Sequence, residues 1–372
     1  MAVALTVPLV AGFELVRGQR TTNEAAMPLL IDQVRRALAD GYYKSLPQSV
    51  LRMHSVGEMI SALRDPYTAY LGASEYKLLE HETASSYSGI GVGLLPASKG
   101  LVVASLHPGG PASVAGIRVG DTIVSVDGRP VVHLGIAQAL VRFNGPIGSH
   151  MRIDLLRAGD DMSFTVRRAV VHAPTVEARL VSFGGRKWGV LRLSTFNFGA
   201  TPVLAHEVKR LQGAGARGLV LDLRGNPGGL FTQAVSVASL FLDHGIIVTL
   251  IGAHQPLEVL HAHPGAITKL PLAVLVDRYS ASSSEIVAAA LHDNHRATLV
   301  GQRTYGKALV QAVDPLANGD ALELTVAHYY TPLGADISSR GVAPQIHAVD
   351  DPRTPGDEAL AVALRALNRP TG

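Results

Sequence analysis

The sequence predicts an α/β protein of several domains, with a mostly parallel sheet in its C-terminal half. Three observations predict it. At 372 residues the chain is too long for one ordinary core. Hydrophobic residues make up 47% and charged residues 17%, the balance of a folded chain rather than a disordered one. From about residue 175 onward, short apolar runs alternate with helical stretches, as strands do when helices cross between them.

The elements follow in order. Residues 1–16 are apolar but interrupted by Pro8 and Glu14, and no Lys or Arg precedes them. They are shorter than the roughly 20 residues of a spanning helix. Residues 1–20 therefore read equally as a buried or unstructured leader and as the remnant of a signal or membrane anchor. Residues 21–86 read as a helical N-terminal region. Leu29, Leu30, Val34 and Leu38, then Val50, Met59, Ile60 and Leu63, recur at helical intervals, and Asp65-Pro66-Tyr67-Thr68 breaks them.

Residues 87–171 have a different texture, of short strands and turns. Gly89-Ile90-Gly91-Val92 opens it, Leu101–Val103 is a strand, and Pro108–Pro111 is a dense turn signal. Residues 120–128 read as a strand closed by Asp127-Gly128, residues 136–143 as a helix, and 151–156 and 162–167 as strands around Gly159-Asp160. These features suggest one small domain. Residues 172–372 hold the α/β core: strands at 189–193, 218–223, 272–276, 298–301 and 321–330, and helices at 203–212, 231–241, 284–292 and 357–367. Trp188 reads as a core residue.

Composition narrows the chemistry. No cysteine is present, which excludes disulfides, zinc–thiolate sites and a cysteine nucleophile. The net charge is +3 with Lys and Arg scattered, so nucleic acid is not an expected partner. His261 and His263, or His292 and His295, lack a third ligand at a recognised metal spacing, so no metal is expected. Ser74-x-x-Lys77 lacks the companion motifs of penicillin-binding enzymes.

Two strand-to-helix turns stand out, residues 223–230 and 277–285. In an open α/β sheet, ligands gather at the carboxyl ends of strands, and helix N-termini offer free N–H groups to developing negative charge. The second turn carries Ser280, Ser282, Ser283 and Ser284. Lys307 follows in a glycine-bracketed, apolar stretch, where burial would leave a neutral amine able to take a serine proton. Two readings stand at this point. The serines cap the helix, with Ser283 or Ser284 as N-cap and Lys307 on the surface, or one of them is a nucleophile.

From Asp65-Pro66-Tyr67-Thr68 onward the chain resembles the carboxyl-terminal processing, or tail-specific, proteases. The matching motifs fall in order: Gly89–Val92; Pro111-Ala112 with Ala115-Gly116 and Gly120-Asp121; Asp222-Leu223-Arg224-Gly225-Asn226 with Gly228-Gly229; Ser280–Glu285; Thr304-Tyr305-Gly306-Lys307 with Gln311; and Tyr329-Tyr330-Thr331-Pro332. The resemblance implies a Clp protease/crotonase-like α/β core with an inserted PDZ domain.

It further implies a Ser-Lys endopeptidase without cofactor, with Ser282 as nucleophile, Lys307 as general base and Gln311 orienting the lysine. The oxyanion hole would be the N–H groups of Gly229 and Ser283. Gly228 would allow close backbone approach, and Arg224, Glu285, Asp293 and Thr304 would brace the site. Gly89, Ile90, Gly91 and Val92 would hold the carboxylate of a substrate tail. Expected partners are proteins with exposed C-terminal tails, with homo-oligomerisation and an anchored, extracytoplasmic location (periplasm or cell envelope) as further implications. Ser283, Ala308 and Tyr305 depart from the family's usual alanine, glycine and phenylalanine. A non-catalytic PDZ scaffold on an inactive protease fold is the alternative.

Overall fold

The computed structural model describes residues 26–82, 87–107, 109–132, 134, 139, 142–143, 145–171, 175–351, 354 and 356–368. The apolar leader and most of the helix expected at 136–143 lie outside them.

The sheet that carries the two turns has six strands. Their order is Val176–Phe183, Arg186–Leu193, Leu219–Asp222, Leu272–Val276, Thr298–Gly301 and Ile346–His347. The first two form an antiparallel hairpin, and every later pairing is parallel. Alternating residues explain the layers. Leu219, Leu221, Val274 and Val276 face the helices Ala200–Gly213, Phe231–Ser239 and Ser283–Asp293. Val220, Ala273 and Leu275 face Trp188 and the helix Glu358–Leu367. Covered on both faces, the central strands are apolar at every position but Asp222, which is what made them readable.

A second sheet corrects two expectations. Ala69–Leu71, Ala321–Tyr330, Ile246–Gly252, Gln255–His261 and Leu309–Pro315 form five strands, all paired antiparallel. The core is thus not one sheet, and the N-terminal region is not wholly helical. Ala69–Leu71 is too short to leave a period in the sequence. Leu309–Pro315 is half-buried to exposed along its length, so it shows no apolar run. The helices Ala26–Gly41, Gln48–Leu51 and Val56–Leu63 pack against Leu322 and Leu324 of this sheet and Leu316 in the turn beside it.

The small module has its own core, including Ile90, Val103, Ile123, Ile153 and Val166. Its sheet runs Val92–Ala97, Gly100–Leu106, Thr122–Val126, His150–Arg157, Asp160–Arg167, with Arg129–Pro130 beside Thr122–Val126. Val92–Ala97 therefore lies on an edge. Tyr87–Gly89 pairs with Ala169–Val171, so the entering and leaving chains are joined at a neck.

Arg224 ties the first turn to the last helix. Its guanidinium lies 2.6 Å from Asp222, 2.6 Å from Asp350 and 2.9 Å from Asp357, the N-cap of Glu358–Leu367. Asp222 is buried and would keep no counter-charge without it. Arg224→Ala is expected to cost about 3 kcal/mol of stability, as broken buried pairs do. Urea unfolding followed by the fluorescence of the single Trp188, which packs under that helix, measures it. A cost well under 1 kcal/mol would mean that Asp222 is solvated after all.

Candidate active site

The two turns are stitched together by buried polar groups. The Asn226 side chain donates to Leu193 O at 2.8 Å and accepts from Gly228 N at 2.9 Å. Ala281 N donates to Asn226 O at 3.1 Å. Asp277 accepts from Gly225 N and Tyr279 N, each at 3.0 Å. Burial holds the Asp277 carboxyl above its usual range.

The four serines divide their work. Ser280 Oγ donates to Leu223 O at 2.8 Å, Ser283 Oγ to Gly229 O at 3.0 Å, and Ser284 Oγ to Asn226 O at 2.9 Å. All three acceptors belong to the first turn and its strand. The Ser282 hydroxyl makes no such bond among the described residues. Ser282 is the N-cap of the helix Ser283–Asp293 and sits at φ 52°, ψ −114°. That is a left-handed-side conformation that a serine adopts only under constraint, and such strain gathers at functional sites.

Backbone donors surround this serine. Ser283 N opens the helix, and Gly229 N lies on the facing turn; neither has an acceptor among the described residues. The helix dipole adds to the attraction for negative charge there. Gly228 must be glycine: at φ 106°, a Cβ would come 2.9 Å from Ala281 O and 3.0 Å from Ser282 Cβ.

The lysine loop is fixed by one carboxylate. Glu285 is fully buried. Its Oε2 accepts from Ser282 N and Lys307 N, each at 2.9 Å. Its Oε1 accepts from Gly306 N at 2.7 Å and Thr304 Oγ1 at 2.5 Å. Burial pushes the Glu285 carboxyl up to about 7, against the four donors that pull it down. The Tyr329 hydroxyl lies 2.6 Å from Lys307 O and 3.2 Å from Ser282 O, a second bridge between the loops. Burial also lowers the pKa of the Lys307 amine, with Glu323, Asp65 and Glu285 opposing it.

Other expected site residues fall elsewhere. Lys307 Nζ and Ser282 Oγ are not hydrogen-bonded; Nζ lies 4.6 Å from the centroid of the Tyr67 ring. Gln311 makes no hydrogen bond to Lys307; its amide donates to Thr325 Oγ1 at 3.5 Å, just past a register shift at Val310/Gln311. Asp293 sits at the far end of its helix, with His292 Nδ1 at 2.7 Å and Leu333 N at 3.2 Å, and does not touch the turns. Reasoning from sequence assigned no role to Tyr67, Asn226 or Tyr329, although each stands inside a quoted motif.

The small module leans on these turns. Leu95 and Ala104 pack with Tyr279 and Ala281, and the Tyr305 hydroxyl donates to Pro96 O at 2.8 Å. A groove of about 340 Å³ runs from Gly91 and Val92 to Gly228, Gly229 and Lys307. Gly91 has φ 75°, and the carbonyls of Ile90 and Gly91 accept from Ala112 N and His107 N. The N–H groups of Ile90 and Gly91 have no acceptor among the described residues.

An α/β core in which a serine turn at a helix start meets a glycine turn with a free N–H, beside an inserted β module, is the arrangement of a serine hydrolase with an appended binding domain. The sequence profile of Peptidase family S41 matches residues 187–348, and that of a PDZ domain matches 88–167. A carboxyl-terminal-processing protease of Synechocystis sp. is 36% identical over 325 residues, covering 84% of this chain and 76% of that protein. The carboxy-terminal processing protease CtpA of Bacillus subtilis is 30% identical over 353 residues, covering 94% of this chain and 74% of that protein. A solved photosystem II D1 C-terminal processing protease superposes with a TM-score of 0.78 at 30% identity, covering 93% of this chain and 98% of that one. The chain belongs to Peptidase family S41 and is a serine peptidase with an embedded PDZ domain.

The Glu285 clamp gives a pH signature. The folded state keeps this proton to about 7, whereas the free carboxyl loses it near 4.5. Its contribution to stability is therefore complete below about 4.5 and is lost as pH rises to about 7. Glu285→Gln does not titrate. The thermal-midpoint difference between wild type and Glu285→Gln should move against the wild type across that window. A difference that stays constant would mean that Glu285 titrates alike folded and unfolded, and one that moves in favour of the wild type would mean that it is ionised throughout.

Proposed function

We propose that this peptidase is a C-terminal processing enzyme that uses Ser282 as nucleophile and Lys307 as general base. The observation that carries the reading is the division among the serines: three hydroxyls are spent on first-turn carbonyls, and Ser282's, at the helix start, donates to none. Neutral Lys307, favoured by burial, takes the Ser282 proton as Oγ attacks the scissile carbonyl. The N–H groups of Ser283 and Gly229 receive the oxyanion. Lys307 then protonates the leaving amine, and water hydrolyses the acyl-enzyme.

The substrate tail adds to the edge strand Val92–Ala97, its carboxylate on the N–H groups of Ile90 and Gly91. Extended along the groove, the same chain reaches Gly228 and Gly229. In this conformation Gln311 does not hold Lys307, and Glu285 fixes the lysine's backbone instead. No cofactor takes part in these steps, and the enzyme works outside the cytoplasm on proteins with exposed tails.

Ser282→Ala and Lys307→Ala are each expected to lower kcat/KM on unfolded casein by about four orders of magnitude or more. Binding of a tail peptide should persist in Lys307→Ala, and wild-type kcat/KM should climb with pH as the lysine deprotonates. Retained cleavage in Lys307→Ala would remove the lysine from the mechanism. A folded wild type that cleaves nothing but binds tails would point to a scaffold.

A further inference from the structure

Lys307 Nζ sits over the Tyr67 ring, 4.6 Å from its centroid, and not on Ser282 Oγ. The ring is held firmly there. Tyr67 N donates to Asp65 Oδ1 and Thr68 Oγ1 to Asp65 Oδ2, each at 2.9 Å. Thr325 N donates to Thr68 Oγ1 at 3.1 Å, which fixes the turn to the strand Ala321–Tyr330. Tyr67 also lines two cavities, the active-site groove and a space of about 320 Å³ behind it that reaches Tyr42 and Leu309. The ring is thus part of the wall between them.

A ring face attracts an ammonium and has no comparable attraction for a neutral amine. We propose that Tyr67 is a positioning residue whose ring parks the protonated Lys307 away from Ser282, and that loss of the proton releases the amine to reach the hydroxyl. The event that makes Lys307 a base then also frees it to act as one. This rests on the reading of Ser282 and Lys307 as the reacting pair.

Other groups face the ammonium as well. Asp65 lies on the turn that carries Tyr67, Glu323 on the strand Ala321–Tyr330, and Glu285 on the helix Ser283–Asp293. All three carboxylates favour the charged form, while burial opposes it. Tyr305 neighbours the Tyr67 hydroxyl, and Tyr329 holds the Lys307 carbonyl. The ring lies directly against Nζ, so its removal has a defined sign: the ammonium is favoured less, and the lysine deprotonates at lower pH.

Tyr67→Leu is expected to move the acid limb of the kcat/KM–pH profile down by about half to one unit, and to raise kcat/KM several-fold below the limb. Tyr67→Phe keeps the ring face and should keep the limb. A second readout does not depend on turnover: the pH midpoint for acetylation of Lys307, followed by peptide mapping in a Ser282→Ala background, should fall by the same amount in Tyr67→Leu. Should Tyr67→Leu fail to fold by Trp188 fluorescence, Tyr67→Met carries the same test. Unchanged limbs and acetylation midpoints in the ringless variants would overturn the proposal. So would an equal shift in Tyr67→Phe, since the hydroxyl and not the ring would then be responsible. Full cleavage by Lys307→Ala would instead sink the dyad, and the acetylation midpoints would still report whether the ring holds the ammonium.

Discussion

Glu285 has no exposed surface, yet four donors converge on its carboxylate, and they come from both halves of the site. Ser282 N belongs to the serine turn, while Thr304, Gly306 and Lys307 belong to the lysine loop. A carboxylate is the side chain that can accept all four at once. An amide of the same shape would turn an NH2 toward donors. The relative placement of the serine turn and the lysine loop is therefore set by one buried carboxyl group. The desolvation of that group is partly offset by bonds that could not be made if either loop were elsewhere.

The same economy governs the first turn. It supplies carbonyls to Ser280, Ser283 and Ser284 and takes back N–H groups, so two loops from distant parts of the chain behave as one rigid piece. Gly225 and Gly228 permit the contact. A Cβ on Gly225 would meet Ala104 O of the PDZ domain at 3.0 Å, and one on Gly228 would meet the serine turn. The glycines are thus where three pieces of backbone close on each other, the PDZ domain included.

Much of this fold was legible because burial on both faces leaves a simple signature. Leu219–Asp222 and Leu272–Val276 are apolar at nearly every position and read as strands directly. The second sheet was harder. Ala321–Tyr330 was readable, but Leu309–Pro315 is half-solvated and Ala69–Leu71 has three residues. In the site, the motifs named the residue types but not their orientations. Which serine is free depends on carbonyls more than 50 residues away. Where Lys307 points depends on the Tyr67 turn, and what Gln311 touches depends on a one-residue bulge. None of these leaves a trace in spacing.

The three-residue strand Ala69–Leu71 has a consequence for how the enzyme comes into being. It pairs with Ala321–Glu323, and Thr68 meets Thr325, so early and late parts of the chain close the wall behind the lysine together. Contacts of such separation form late and demand nearly the whole chain. A chain still being synthesised, with residues beyond 320 not yet available, holds the serine turn but lacks the strand Ala321–Tyr330 against which the Tyr67 turn stands. Completion of the wall behind Lys307 is in this way deferred by topology until nearly the whole chain is available.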